Sequence, residues 1–321
     1  YEVDPAGVTV SRAYPGGVPV VEARWEAGPH RVVERFWTAE DAPLLVREVT
    51  VENASAAPLP VTLTTTLYHN HILFTDYRTD HDAGVLRADG YPHMELFAEG
   101  PVRLQDRAMH VDLGVVAAGA TAGTRLFYVV GAAREDVAAV PAEARRLAAE
   151  RFYGGLTAVA TADAGLDGLY RAARDGIHAT VSDAGRFDAA IWQYNMEWVM
   201  DASHVLMAAA RTGQFDRAAA MAHHLVTRLT DERGAAAQSS RFHHGPTSEI
   251  GHNGFLLGAL ATYAAWTGDF VLIRRLWPQI VRLAEFPLSA VFAHESGLLR
   301  TDIEFFERAS GFGVLPGFEL G

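Results

Sequence analysis

The sequence predicts a multidomain fold in which an antiparallel β-sandwich precedes an array of paired helices. Two observations carry this prediction. Short runs rich in valine, threonine and aromatic residues, separated by glycine, proline and asparagine, fill residues 1–132. Helical patterns fill residues 163–321, where very short connections alternate with long ones. Residues 133–162 are alanine-rich and are predicted to form a helical linker between the two domains.

The first domain is predicted to be built from short antiparallel strands. Their predicted bounds are Val8–Tyr14, Val18–Glu26, Arg31–Ala39, Leu44–Asn53, Leu59–Asn70, Gly84–Asp89, His93–Glu99, Val102–Val116 and Thr124–Val130. Val61, Leu63 and Leu67 alternate with threonines, which is the period-two pattern of a strand with one buried face. About nine such runs, each bounded by turn residues, are typical of a sandwich.

The linker and the second domain are predicted to be helical. The predicted helices are Glu135–Phe152, Leu166–Val181, Trp198–Arg211, Gln214–Leu229, Ser248–Trp266 and Asp269–Glu285. Asp163 is a predicted N-cap, because a side-chain oxygen at that position can accept from the first free backbone N–H groups. Gly213 and Gly268 are predicted to end helices, and Pro287 stops the last one.

The lengths of the connections predict how these helices are arranged. Thr212-Gly213 and Thr267-Gly268-Asp269 are so short that each joins two helices into an antiparallel hairpin. Three longer segments separate the hairpins: the first connection Asp183–Glu197, the second connection Thr230–Thr247 and the third connection Leu288–Phe305. This alternation predicts an (α/α) barrel with its long connections on one side. A helical solenoid is the rival arrangement, but the sequence shows no repeat of fixed period.

Composition excludes several classes of protein. The net charge of −12 argues against nucleic acid as a partner, which requires a basic surface. No apolar run is long enough to predict a membrane span. The chain has no cysteine, which excludes disulfides and thiolate sites. It begins at Tyr1 without a signal-like segment and stops in the run Gly-Phe-Glu-Leu-Gly, so we expect a fragment whose compartment the sequence does not reveal.

Aromatic and polar side chains are concentrated around the long connections. These residues are Phe187, Trp192, Tyr194, Glu197, Trp198 and Asp201; Gln238, Arg241, His243, His244, Glu249, His252 and Asn253; and Arg300, Asp302, Glu304, Phe305, Phe306, Glu307 and Phe312. Aromatic faces stack on the C–H surface of a sugar ring, and fixed polar groups bind its hydroxyls. Glu307 follows two phenylalanines, and a carboxyl desolvated in this way stays protonated and can act as a general acid.

Three short motifs, in this order, resemble those of a known family. Trp198-Val199-Met200-Asp201 is similar to Trp-x-Arg-Asp at the start of the second barrel helix. Gly251-His252-Asn253-Gly254 resembles a Gln/Arg-Asp-Gly segment that opens the fourth helix. Glu304-Phe305-Phe306-Glu307-Arg308 resembles Asp-Leu-Trp-Glu-Glu. The family is that of the six-hairpin glycosidases, notably glucoamylase-like (family 15) glycoside hydrolases, to which trehalases and the maltose- and cellobiose-type phosphorylases are related.

The resemblance implies a β-sandwich followed by an (α/α)6 barrel, of which this chain contains the first part. It implies that Glu307 is the general acid, with Glu304 as the fallback, and that Asp201 binds sugar hydroxyls. The other expected substrate-binding residues are Trp192, Tyr194, Glu197, Trp198, Arg241, His252, Asn253 and Phe306. Met200, Asn253 and Phe306 stand where the family has Arg, Asp and Trp, which leaves the particular sugar open.

An inverting glycosidase also needs a second carboxylate, at about 6.5–9.5 Å from the first, to activate water. The resemblance implies that this residue lies in a late barrel helix. We therefore expect the general base beyond residue 321 and the 321 residues to be catalytically incomplete.

Three hypotheses follow for function. The first is an inverting, exo-acting glycoside hydrolase of α-glucosides or related oligosaccharides. The second is an inverting disaccharide phosphorylase, and the third is a non-catalytic carbohydrate-binding protein. No metal or cofactor is predicted. Asp201 and His204 provide only a single ligand pair, and no zinc motif accompanies His69, His71 and the Asp76, Asp80 and His81 that follow them.

Overall fold

The computed structural model describes residues 5–67, 76–80, 84–89, 93–189, 196–240, 250–306 and 313–319; residues 76–80, 301–306 and 313–319 are described by their backbone. The chain divides into two compact units, Tyr1–Gly155 and Leu156–Gly321. The first unit is built mainly of antiparallel strands and the second mainly of helices. The predicted order of β structure followed by helices is therefore confirmed.

The first unit contains two antiparallel sheets. Its strands are β1 (Thr9–Ala13), β2 (Val20–Ala27), β3 (His30–Thr38), β4 (Leu44–Asn53), β5 (Leu59–Thr66), β6 (Asp76–Asp80), β7 (Val85–Asp89), β8 (Met94–Ala98), β9 (Val102–Gln105), β10 (Ala108–Val116) and β11 (Thr121–Val130). One sheet has the order β1-β2-β3-β4-β11-β8-β7-β6, and the other has the order β5-β10-β9.

One predicted strand is two strands in the structure. The run Val102–Val116 turns at Asp106 into a hairpin, so that β9 pairs with β10. Asp106 has a φ of 53°, a left-handed conformation that Asp adopts more readily than most residues. The residues on both sides of Asp106 are typical of strands, so the sequence alone does not predict this turn.

The two sheets of the first unit share one hydrophobic core. Val32 and Val49 come from the larger sheet, and Val61 and Met109 come from the smaller sheet. In β5 the buried and exposed positions alternate, as the threonine pattern predicts. The alternating side chains of β5 therefore supply one buried face to the core and one polar face to solvent.

A largely buried ion pair joins two neighbouring strands of the larger sheet, β3 and β4. Arg47 Nη2 donates to Glu34 Oε1 at 2.8 Å and Arg47 Nε donates to Glu34 Oε2 at 3.2 Å, which makes the pair bidentate. Arg47 Nη1 also donates to Thr65 Oγ1 in the smaller sheet and to the Tyr128 hydroxyl, both at 3.2 Å. Burial lowers the pKa of Arg47, but the hydrogen bond and charge of Glu34 outweigh burial and leave the pKa raised. The guanidinium therefore stays charged while it joins the two sheets.

Two short helices complete the first unit. They are α1 (Arg134–Ala138) and α2 (Ala142–Gly155). The single helix predicted over Glu135–Phe152 is interrupted before Pro141, because proline disfavours helical backbone in the residue that precedes it. Arg145 holds α2 in place: its Nη1 donates to Asp41 at 2.7 Å and its Nη2 to the Val137 carbonyl at 2.8 Å.

The second unit contains the longer helices. They are α3 (Ala164–Thr180), α4 (Val199–Arg211), α5 (Phe215–Arg228), α6 (Gly251–Thr267) and α7 (Phe270–Glu285). The predicted cap on α3 is confirmed, since Asp163 accepts from the backbone N–H groups of Gly165 and Leu166. Helix α4 packs on α6, and α5 packs on both α6 and α7.

After α7 the chain forms two strands, where the sequence predicts a long irregular connection. Strands β12 (Leu299–Phe306) and β13 (Gly313–Glu319) pair with each other in antiparallel orientation. The third connection was predicted as an irregular segment, and its last residues are instead part of β12. No helix in the described part of the chain combines the length and apolarity that a membrane crossing requires.

Arg47→Met should destabilise the first unit by about 3–5 kcal/mol, because it leaves the Glu34 carboxylate buried without its cation. Urea unfolding followed by circular dichroism measures this loss. Arg24→Met is the matched control: Arg24 also pairs with a glutamate, Glu22, but is largely exposed, so the loss should stay under about 1 kcal/mol. Equal losses in the two variants would contradict a stabilising role for the buried pair.

Candidate functional site

The first and second connections are joined by main-chain pairing beside the start of α4. Trp198 and Ser239 form an antiparallel bridge. The Val199 N–H donates to the Gln238 carbonyl at 3.2 Å, and the Ser240 N–H donates to the Glu197 carbonyl at 2.9 Å. The end of the first connection is therefore held against the middle of the second connection.

Contacts between helices extend this cluster. The rings of His204 in α4 and Phe255 in α6 lie 5.3 Å apart, so the amino-terminal halves of the two helices are neighbours. Asn253 in the first turn of α6 donates to the carbonyl of Leu283, near the end of α7, at 2.7 Å. The guanidinium of Arg233 lies 5.7 Å from the centre of the Phe286 ring. The second connection thus also meets the segment from which the third connection departs.

Trp198 and Asp201 lie where α4 begins. Trp198 is the N-cap residue and is partly buried, while Asp201 is in the first turn and is partly exposed. A carboxylate in a first helical turn is favoured by the positive end of the helix dipole. Met200, next to Asp201 in the sequence, and Phe255 of α6, whose ring lies near His204, are each 40% exposed. An aromatic residue, Trp198, and a carboxylate, Asp201, thus lie at the same helix start.

Glu197 is placed differently from Asp201. It is only 5% exposed, and both carboxylate oxygens contact cationic or donor side chains. Oε1 lies 2.5 Å from His224 Nε2 in α5, and Oε2 lies 3.5 Å from Arg186 Nε in the first connection. Direct binding of sugar by Glu197 stays a prediction. His224 has no distinguishing pattern in the sequence, and its partner is 27 residues away.

Asn253 is fully buried, and its amide binds backbone groups of two other segments. Its Oδ1 accepts from the Ala236 N–H at 3.0 Å, and its Nδ2 donates to the carbonyls of Gly234 and Leu283, both at 2.7 Å. These bonds connect α6, the second connection and α7. A sugar would have to displace one of them, so the geometry favours a structural role over the predicted substrate contact.

The remaining candidates are distributed as follows. His252 is partly buried in the first turn of α6. Glu304 and Phe306 lie in β12, paired with Leu315 and Gly313. The candidates Trp192, Tyr194, Arg241 and Glu307 lie outside the described residues, and their roles stay predictions. Among the residues whose side chains the structure describes, no group of three or more His, Asp or Glu could hold a metal ion.

Glycines let the long connections approach the helices closely. Gly185 has a φ of +79°, and a Cβ atom there would lie 2.3 Å from the Ala220 carbonyl carbon in α5. Gly234 has a φ of +94°, and its Cβ atom would lie 2.1 Å from the Arg282 carbonyl oxygen in α7. Only glycine fits both the backbone conformation and the space at these positions. Each connection is therefore fixed against the backbone of a helix.

The end of α3 adds a buried histidine beside the first connection. Burial is the main cause that lowers the pKa of His178 to about 4, and the charge of Arg217 adds to it, while Asp183 opposes it. Arg217 in α5 pairs with Asp183 at 2.6 Å and donates to the Val181 carbonyl at 2.8 Å. The start of the first connection is thus held against α5 next to a neutral imidazole.

Comparison with known proteins identifies similar folds. No protein-family model and no curated protein matches the chain. A bacterial glucoamylase in complex with acarbose is similar, with 11% identity and a TM-score of 0.55; the match covers 88% of this chain and 50% of that one. A putative kojibiose phosphorylase from the human microbiome is also similar, with 8% identity and a TM-score of 0.60; the match covers 88% of this chain and 46% of that one.

At these identities the likeness shows the fold alone, which is an antiparallel β unit followed by helices. The chain spans about half the length of the two solved structures. The overlap includes most of this chain, so both of its units contribute to the likeness.

Gly234→Ala should destabilise the second unit by more than about 2 kcal/mol, because the methyl group meets the α7 backbone at a left-handed residue. Thermal unfolding measures the effect. Gly176→Ala, in open space within α3, is the control and should be neutral or stabilising by up to about 1 kcal/mol. Unchanged stability in Gly234→Ala would rule out the close approach of the second connection to α7.

His178 should make stability depend on pH. Its pKa is about 4 in the folded chain, against about 6.5 when unfolded, so the unfolded chain binds more protons between these values. The contribution is complete above pH 6.5 and is lost as the pH falls towards 4, which amounts to about 2–3 kcal/mol. Urea unfolding at a series of pH values tests this.

The comparison of His178→Gln with the native protein isolates this contribution, since other groups titrate in both. The variant should lose less stability over the same pH range. His223→Gln, at an exposed position of α5, is the control for the effect of a His-to-Gln substitution itself. If the stability of His178→Gln depended on pH as strongly as that of the native protein, the His178 imidazole would titrate alike in the folded and unfolded chain.

Proposed function

We propose that this protein is a carbohydrate-active enzyme, and specifically an inverting, exo-acting glycoside hydrolase of α-glucosides or related oligosaccharides. The observation that carries the proposal is the pairing of the first and second connections beside Trp198 and Asp201. Trp198 is the N-cap residue of α4 and Asp201 lies in its first turn, so both residues lie close to that pairing in the chain. The likeness in fold to a glucoamylase bound to acarbose supports this reading.

In this proposal the substrate-binding residues surround the start of α4. Asp201 accepts hydrogen bonds from sugar hydroxyls, and Trp198 and Phe255 supply apolar surface for the ring. Trp192, Tyr194, Arg241, His252 and Phe306 remain proposed contacts on the basis of the motifs. We also propose that residues 1–132 form a β-sandwich, that residues 133–162 form a linker and that residues 163–321 form the first part of an (α/α)6 barrel.

Glu307 is the proposed general acid, with Glu304 as the fallback. It would give its proton to the glycosidic oxygen as the bond to the anomeric carbon breaks, while a water attacks that carbon from the opposite face and loses a proton to a second carboxylate that acts as general base. Two phenylalanines precede Glu307 in the sequence, and apolar surroundings of that kind would keep such a carboxyl protonated. Asp201 is proposed to bind sugar hydroxyls rather than to give a proton, so the two carboxyl groups have different roles.

Phosphorolysis is the second candidate, in which phosphate takes the place of water. The likeness in fold to a putative kojibiose phosphorylase, with a TM-score of 0.60, supports phosphorolysis as an alternative function. The two reactions are separated by assaying the intact protein on α-linked disaccharides with and without inorganic phosphate. Glucose release without phosphate supports hydrolysis, whereas glucose 1-phosphate formed only with phosphate supports phosphorolysis. Binding of acarbose with neither reaction would support a non-catalytic carbohydrate-binding protein.

Glu307→Gln in the intact protein should lower kcat on α-linked disaccharides by about 10²–10⁴-fold with little change in KM, because the amide cannot donate a proton to the leaving oxygen. α-Glucosyl fluoride should be cleaved nearly as well as by the native enzyme, since fluoride leaves without protonation. Glu232→Gln, an exposed position of the second connection, is the control. Undiminished activity of Glu307→Gln on disaccharides would exclude it as the acid and direct the same test to Glu304.

A further inference from the structure

The buried carboxylate of Glu197 has a position that its predicted role in sugar binding does not explain. It directly precedes Trp198, the N-cap residue of α4, and its side chain is 6% exposed. Removing a charged carboxylate from water costs several kcal/mol unless protein groups replace the lost hydration. The contacts that replace it therefore indicate what the residue does.

Two side chains from different elements hold the carboxylate. His224 comes from α5 and is itself mostly buried, whereas Arg186 comes from the first connection and is 56% exposed. His224 Nε2 lies 2.5 Å from Oε1, and Arg186 Nε lies 3.5 Å from Oε2. The carboxylate thus ties the first connection to α5 at the point where α4 begins.

The backbone of Glu197 makes a third attachment. Its N–H donates to Ser240 Oγ at 3.3 Å, and its carbonyl accepts from the Ser240 N–H at 2.9 Å. Next to it, Trp198 forms the bridge with Ser239. One residue therefore connects the first connection, the second connection and α5.

We infer that Glu197 is a positioning residue for the sugar site. Its carboxylate, held by His224 and Arg186, fixes the place of Trp198 and Asp201 against the second connection. Trp198 is the N-cap residue of α4 and Asp201 lies in its first turn, so a shift of the helix start moves Trp198 and Asp201 together. This inference rests on the proposed function. In it, Glu197 does not contact the sugar itself but holds in place the residues that do.

A displacement of Trp198 and Asp201 weakens binding more than it alters the chemical step, because the proton donor lies elsewhere in the chain. The expected signature of positioning is therefore a raised KM and a raised Kd with a nearly constant kcat. It also predicts coupling: removal of either partner of the pair should abolish the effect of removing the other.

The test uses the intact protein with the variants Glu197→Gln, His224→Leu and His224→Gln and the double variant Glu197→Gln/His224→Leu. Acarbose is the binding probe, and KM and kcat are measured on maltose. His224→Leu should weaken acarbose binding about tenfold, and the double variant should be no weaker than His224→Leu. His224→Gln keeps a donor near Oε1 and should recover binding to within about threefold of native. His223→Leu, the exposed neighbour on α5, is the matched control and should bind as the native protein does.

Hydrogen exchange measured by mass spectrometry provides a readout independent of sugar. In His224→Leu, peptides covering 182–189 and 196–205 should exchange faster than in the native protein, while peptides from α7 should not change. If no variant or native protein binds acarbose or cleaves maltose, the proposed function fails, and the exchange result still tests the attachment by itself. The inference is overturned if Glu197→Gln abolishes binding while His224→Leu binds sugar and exchanges hydrogen as the native protein does, since Glu197 would then contact the sugar directly.

Discussion

The pairing of two connections beside the start of α4 determines where the candidate side chains lie. Trp198 is bridged to Ser239, and the hydrogen bonds on either side of this bridge fix residues 197–199 against residues 238–240. These hydrogen bonds join backbone atoms, so they do not depend on which side chains the paired residues carry. The connections can therefore carry varied aromatic and polar residues while the helices beneath them keep their packing.

Buried polar groups hold each unit together by joining segments that are distant in the sequence. In the first unit Arg47 pairs with Glu34 of the neighbouring strand and links their sheet to the smaller one through Thr65. In the second unit the Asn253 amide links α6, the second connection and α7. Buried hydrogen-bonding groups cost little when satisfied and much when a partner is lost. Such groups specify one arrangement of segments that hydrophobic burial alone would leave less defined.

Much of the fold could be predicted from local sequence signals. Asp163 caps α3 because its side chain reaches the next backbone N–H groups, and Gly268 ends α6 in the left-handed conformation. The turn at Asp106 was missed because the composition on both sides of it is typical of strands. The predicted second-unit helices, by contrast, end within a few residues of their observed bounds, since glycine and proline mark those ends.

The candidate site was less predictable, because it depends on contacts between distant residues. Trp198 and Asp201 belong to one motif at one helix start, so the sequence alone predicts that they lie near each other. Asn253 belonged to a motif as well, yet its amide serves the backbone, which only the folded chain reveals. The contact of Glu197 with His224 and the nearness of Phe255 to His204 have no local signal, since each joins residues from different elements.

In the proposed function, sugar binds where the first and second connections meet, beside the start of α4. Hydrogen exchange of the intact protein with and without saturating acarbose tests this position. We expect slower exchange in peptides covering 196–205 and 236–240, and unchanged exchange at the short turns 211–215 and 266–270 on the opposite ends of the helices. Protection confined to the short turns, or bound acarbose without protection at residues 196–205, would contradict it.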